Sequence, residues 1–163
     1  MPNIRVLIVS LLLALGAAPV LAQSANVAFG AIKADPSLPV EVTADTLDVN
    51  QEDGSAEFLG NVVVGQGEMR LSAKRVLVIY NQEASGIERM EATGDVVLVS
   101  GPDAAQAERA DYTIDSGVIV MTGNVLLTQG QNALTSNKMT VNLITGTAQM
   151  VGRVKTILNS DKN

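Results

Sequence analysis

The chain repeats one phrase four times. "FLGNVVV", "ATGDVVL", "MTGNVLL" and "MVGRVKT" set glycines at Gly60, Gly94, Gly123 and Gly152, spaced 34, 29 and 29 residues apart. A second marker keeps step: "ADTLDV" from Ala44, "AKRVLV" from Ala73, "AERADY" from Ala107 and "SNKMTV" from Ser136. Three of these stand 16 residues before the glycine of their own unit; the one at Ala73 stands 21 before, so that unit carries about five extra residues, placed most economically in "YNQEASGIE". Two markers in register describe units that stack, since one small unit cannot bury its apolar face alone. The units run 44–72, 73–106, 107–135 and 136–163.

Within each unit the apolar residues alternate. The first halves give Leu47 and Val49; Val76, Val78 and Tyr80; Ala110, Tyr112 and Ile114; Met139, Val141 and Leu143. The second halves give Ala56, Phe58, Val62 and Val64; Met90, Ala92, Val96 and Leu98; Ile119, Met121, Val125 and Leu127; Ala148, Met150 and Val154. Period two is the mark of a half-buried strand, and polar neighbours such as Asp48, Thr113, Thr140 and Asn142 belong on its wet face. Turn residues close the runs at "NQEDGS", "NQEASG", "DSG", "ITG", "GQG" and "SGPD". Strand, turn, strand at short even intervals predicts an all-β sandwich, roll or solenoid. The recurring glycine has two readings: a bulge or bend shared by every layer, or a Gly-Asn or Gly-Asp hairpin turn.

The first residues are of another kind. "MPNIRVLIVSLLLALGAAPVLAQS" has one positive residue, Arg5, an apolar run Val6–Leu15, and small residues leading to Val20-Leu21-Ala22. This layout predicts a secretory signal at 1–22, cut after Ala22, since the uninterrupted run is shorter than the roughly 20 residues of a spanning helix. A lead-in segment then occupies 23–39, one β domain 40–158 and a short tail 159–163. Export permits disulfides, yet the chain has no cysteine, so its core and its ladders must hold it.

The chemistry search is mostly negative. With no His and no Cys there is no imidazole base, thiolate nucleophile or usual nitrogen or sulfur metal site, and no enzyme, metal or cofactor is expected. "DVNQEDG" departs from a calcium loop because its glycine falls one place late and Leu59 stands where the bidentate Glu belongs, so it reads as a polar turn. Glu88 and Glu91 read as solvated carboxylates. Lys74, Arg75, Arg109 and Lys138 recur near the unit starts, either to meet phosphates or as surface charge. A net charge of −6 argues against a nucleic-acid partner, and no nucleotide-binding G-x-x-x-x-G-K-[ST] loop is present.

A chain of stacked strands with one apolar face must put that face somewhere. The inward set is aliphatic, in a chain with only two Phe and two Tyr: Leu47, Val49, Phe58, Val62, Val64, Leu71, Val76, Val78, Tyr80, Met90, Val96, Leu98, Tyr112, Met121, Val125, Leu127, Met139 and Val141. It is either an ordinary core or, with the sheets held apart, a trough for acyl chains. The register rests on alternation, and a one-residue slip would turn the whole set outward.

The run "PVEVTADTLDVNQEDGSAEFLGNVVVGQGEMRLSAKRVLVIY" resembles the OstA-like family of periplasmic lipopolysaccharide-transport proteins, over essentially all of Val40 to Leu158. The resemblance implies a single twisted β-jelly roll, open along one side, whose interior takes the lipid A acyl chains of lipopolysaccharide. It implies a periplasmic place in a bridge between an LptC-like inner-membrane partner and an LptD-like outer-membrane translocon. The inward set becomes the candidate lipid-binding lining. Physics supplies the joint: unpaired strands near "LPVEVTA" and "VGRVKTIL" invite other strands, and head-to-tail pairing of copies does not close. Two alternatives stand beside this reading. A membrane-anchored LptC-like component would keep its N-terminal helix; a structural β-repeat scaffold would have a dry, fully packed interior.

Overall fold

The structure, a computed structural model, describes residues 24–28, 35, 37–82 and 86–158. The predicted signal at 1–22 and the tail at 159–163 lie outside these. Among the described residues eleven strands are formed: β1 Ser24–Ala28, β2 Glu41–Thr43, β3 Thr46–Asn50, β4 Ser55–Gln66, β5 Met69–Tyr80, β6 Ile87–Ser100, β7 Asp103–Thr113, β8 Val118–Gln129, β9 Asn132–Asn142, β10 Thr147–Val151 and β11 Lys155–Ile157. They make one open sheet in the order β1-β10-β9-β8-β7-β6-β5-β4-β2, with β3 also on β4 and β11 also on β9. All its pairings are antiparallel, as expected of strands joined by tight turns.

The phrase glycines decide the shape. Strand β4 runs straight through Gly60, but Leu59 pairs with Arg75 and Val62 with Ala73, so Gly60 and Asn61 together oppose Lys74 alone. The same two-against-one step recurs in β6 and in β8, opposite Glu108 and Asn137. It is a β-bulge in these three layers, and in the fourth the strand breaks at Gly152 between β10 and β11, which settles the choice left by the sequence against hairpin turns. Both bulge residues are left-handed: φ is 78° at Gly60 and 46° at Asn61, and 85° at Gly123 and 46° at Asn124. A side chain at Gly123 is excluded on a second ground, since a Cβ there would come within 2.6 Å of the Glu108 carboxylate.

Each bulge is held from the side by the second residue of a unit marker. The Asp45 amide donates to the Gly60 carbonyl at 2.9 Å, and the Asn137 amide to that of Gly152 at 2.9 Å. Asn61 donates to the Asp45 carboxylate at 2.8 Å, Asn124 to that of Glu108 at 2.6 Å, and Lys74 pairs with Asp95. The bulges lie in line and divide the sheet into two arms. One arm carries Phe58, Val76, Met90, Tyr112, Met121, Met139 and Met150; the other carries Val64, Leu71, Leu98, Ala105, Leu127 and Leu134. Buried residues of both arms form one core, so the bent sheet closes on itself as a roll.

The lead-in segment is more than a connection. Ser24–Ala28 pairs with β10 along its whole length and forms one terminal strand of the sheet. The end of the chain expected to present an unpaired strand is therefore half covered by the chain's own N-terminal part.

Candidate functional site

The eighteen inward residues divide by position along the stack. In the middle layers the arms are sealed against each other: Val62, Val76, Val96, Leu98, Met121, Met139 and Val141 are 0% exposed, with Val64, Leu71, Val78, Met90, Tyr112, Val125 and Leu127 also buried. Phe58 is partly buried against this core. At the first layer the same face is open. Leu47 lies directly across from Phe58 and Val49 from Ala56, so both share the interior face, yet they are 52% and 64% exposed. Tyr80, the last of the Val76, Val78, Tyr80 alternation, is 37% exposed beside them. A concavity of about 550 Å³ lies here, lined by Val49, the turn from Asn50 to Ser55, and Tyr80, Asn81 and Gln82.

A polar link joins the arms in the interior. The Tyr112 hydroxyl donates to Gln66 Oε1 at 2.7 Å, and Gln66 Nε2 donates to the Leu38 carbonyl at 3.0 Å. Tyr112 belongs to one arm and Gln66 to the end of the other, so this chain of bonds crosses the core rather than running along a strand. Burial pushes the Tyr112 phenol up to about 12, against a smaller opposing effect of the Gln66 bond. With its partners in place the pair is satisfied, and no buried side-chain nitrogen or oxygen lacks a partner among the described residues.

Outside the roll several of the charges are paired. Arg109 reaches Glu91 at 2.9 Å and Asp111 at 2.5 Å, Arg89 reaches Glu91 at 3.0 Å, and Arg75 pairs with Glu57. Hydrogen bonds to Asp111 and then Glu91 hold the Arg109 pKa above its ordinary value. Glu91 is thus no solvated carboxylate: its side chain is 16% exposed between two arginines. Lys74, Arg75 and Arg109 each meet a carboxylate, which favours surface charge over a phosphate-binding row. The "DVNQEDG" stretch closes on itself, with Asn50 donating to Asp53 at 2.9 Å and the Glu52 amide to Asn50 Oδ1 at 2.9 Å.

Several interior residues escape simple alternation. Met69, Ala105 and Leu134 are buried with Leu71, Ala107 and Ser136, but on β5, β7 and β9 the inward phase changes at Lys74, Glu108 and Asn137. Counting back from Val76 by twos lands on Lys74 and Ser72 instead of Ala73 and Leu71. The available signal was the second alternating run, Met69-Leu71-Ala73, which stands out of phase with the first. No helix among the described residues is long and apolar enough to cross a membrane.

Residues 41–147 match the family described as LptA/(LptD N-terminal domain) LPS transport protein. An uncharacterized protein of Rhizobium meliloti (strain 1021) is 29% identical over 114 residues, 66% of this chain and 61% of its own length. The LPS-assembly protein LptD of Yersinia enterocolitica is 34% identical over 103 residues, 56% of this chain and 13% of its own. The chain thus spans less than two thirds of these relatives. Its fold is similar to the crystal structure of LptH from Pseudomonas aeruginosa, titled the LptA homologous periplasmic component of the conserved lipopolysaccharide transport device. The TM-score is 0.67 at 18% identity, covering 78% of this chain and 99% of that one. With that family match over residues 41–147, more than half its length, the chain belongs to the LptA/(LptD N-terminal domain) family of lipopolysaccharide-transport proteins.

Proposed function

We propose that this chain works in the periplasm as a carrier that takes the acyl chains of lipid A between the two arms of its roll. It passes them along a bridge joined through sheet edges to an LptC-like partner, an LptD-like translocon and further copies of itself. The observation that carries the reading is the continuous aliphatic face, buried through the middle layers and bare at Leu47, Val49 and Tyr80. Apolar chains entering there exchange water for Val, Leu and Met contacts, worth about 25 cal/mol per Å² removed from water. No step requires catalysis. Directional movement comes from a partner, because this chain has no nucleotide loop.

A structural scaffold is favoured by one observation, the fully packed middle of the roll. Photo-crosslinking decides between them. A light-activated residue at Phe58, Val96 or Met121, with controls at Asp48 and Thr113, is exposed to lipopolysaccharide and its adducts are counted. Carriage predicts adducts at the inward positions and none at the controls. No adduct at any position of the folded protein would leave the scaffold reading standing. The LptC-like alternative is separated by mass: a periplasmic protein without residues 1–22 is expected, against a membrane-bound chain that keeps them.

A further inference from the structure

The strand that covers the end of the sheet copies the strand that opens it. β1 reads Ser-Ala-Asn-Val-Ala and β3 reads Thr-Leu-Asp-Val-Asn. Their registers agree as well. Thr46 of β3 pairs with Leu59, one residue before Gly60, and Ser24 of β1 pairs with Val151, one residue before Gly152. The correspondence continues, with Leu47 on Phe58 as Ala25 is on Met150, and Val49 on Ala56 as Val27 is on Ala148. β1 thus sits where the first half-strand of a following unit would sit.

We propose that β1 is a placeholder for β3 of a second copy of this chain, and that copies join by displacing it. This rests on the head-to-tail association in the function proposed above. The register of the joint follows from the layers already present. Thr46, Leu47, Asp48, Val49 and Asn50 of the arriving copy face Val151, Met150, Gln149, Ala148 and Thr147. Its Thr43, Val42 and Glu41 then face Lys155, Thr156 and Ile157 of β11. Among the described residues β11 pairs only with β9, so its outer edge receives β2 first and β1 is peeled from β10 afterwards.

Three features make the second copy the better occupant. Leu47 and Val49, bare on the free chain, bring more apolar side chain to Met150 and Ala148 than Ala25 and Val27 do. β2 carries Glu41 to the strand that carries Lys155, two residues apart along one face of the joint. At the corner, the residue following the phrase glycine is Asn61, Asp95 or Asn124, but in the last unit it is Arg153, left-handed at φ 49°. Among the described residues Arg153 forms no ion pair. The layer pattern sets the marker's second residue against this position, as Lys74 lies against Asp95, and in a joined copy that residue is Asp45.

The test uses cysteine pairs, which the native chain does not complicate. In full-length protein purified after export, Asn26→Cys with Gln149→Cys locks β1 to β10 when oxidised. The oxidised protein should assemble roughly tenfold more weakly than the same protein reduced, read by light scattering over a concentration series. Separate chains carrying Asp48→Cys and Gln149→Cys should form a disulfide on mixing, while Asp48→Cys with Thr147→Cys, a two-residue slip, should not. Equal assembly of locked and reduced protein would overturn the displacement. Assembly in which the Thr147 pair crosslinks and the Gln149 pair does not would overturn the register. If neither form assembles at any concentration, it is the head-to-tail reading itself that fails.

Discussion

The middle layers and the first layer are made of the same unit, yet they differ in what covers the inward face. Leu98 on β6 is 0% exposed because β5 and β7 flank it and the other arm closes over it, whereas Val49 on β3 is 64% exposed with β4 on one side alone. One pattern of alternation therefore produces a core in one place and a bare apolar surface in another. Whether an inward residue is buried depends on the layer beyond it, and beyond the first layer no described strand of this chain supplies one.

The comparison can be broken most forcefully at its centre. Leu98→Ala should cost about 2–5 kcal/mol, read from urea denaturation, because the sealed layers leave a cavity they cannot fill by collapse. A loss below about 1 kcal/mol would mean that the middle is looser than its burial says. Gly123→Ala tests the corner, where a left-handed backbone and the Glu108 carboxylate both oppose a Cβ; about 1–3 kcal/mol is expected. A neutral result would show that the bulge can relax.

Tyr112→Phe removes the hydrogen bond that its hydroxyl donates to buried Gln66 across the arms, at about 1–2 kcal/mol. Its pH dependence has a definite sign. The folded pKa of about 12 lies above the ordinary 10.0, so the neutral phenol's contribution is complete below pH 10 and is lost as pH rises through 12. The wild type should weaken across that window by more than the Phe variant. Equal alkaline losses in both would remove Tyr112 from the account. Smallest of all, Val49→Ala should change stability by less than about 0.5 kcal/mol, since the side chain is exposed. If lipid enters at this end, the same change lowers lipopolysaccharide crosslinking at Phe58 while the denaturation curve stays in place.

Much of this was legible in the sequence, and for identifiable reasons. Turn residues closed the strands where the structure closes them, because those turns demand particular residues. The phrase glycines marked a shared corner, although only the pairing of Leu59 with Arg75 and Val62 with Ala73 separated a bulge from a hairpin. Alternation put Val62, Val96 and Met121 on the inner face but could not say that Leu47, Val49 and Tyr80 lack cover, since it reports direction and not neighbours. It missed Met69, Ala105 and Leu134 because a bulge on one strand shifts the phase of its partner. The docking of Ser24–Ala28 on β10 is a long-range pairing that no local pattern announces.

The order of the sheet also makes the molecule a ruler. From β2 and β3 through β4 to β9 and then β10 and β11, the chain contributes eight strand positions along the stack. At about 4.8 Å between strands, each copy joined in register would lengthen the stack by roughly 38 Å. A gap spanned by such a bridge can then be matched only in whole steps of that size. Adjusting a span by less would fall to the partners at its two ends.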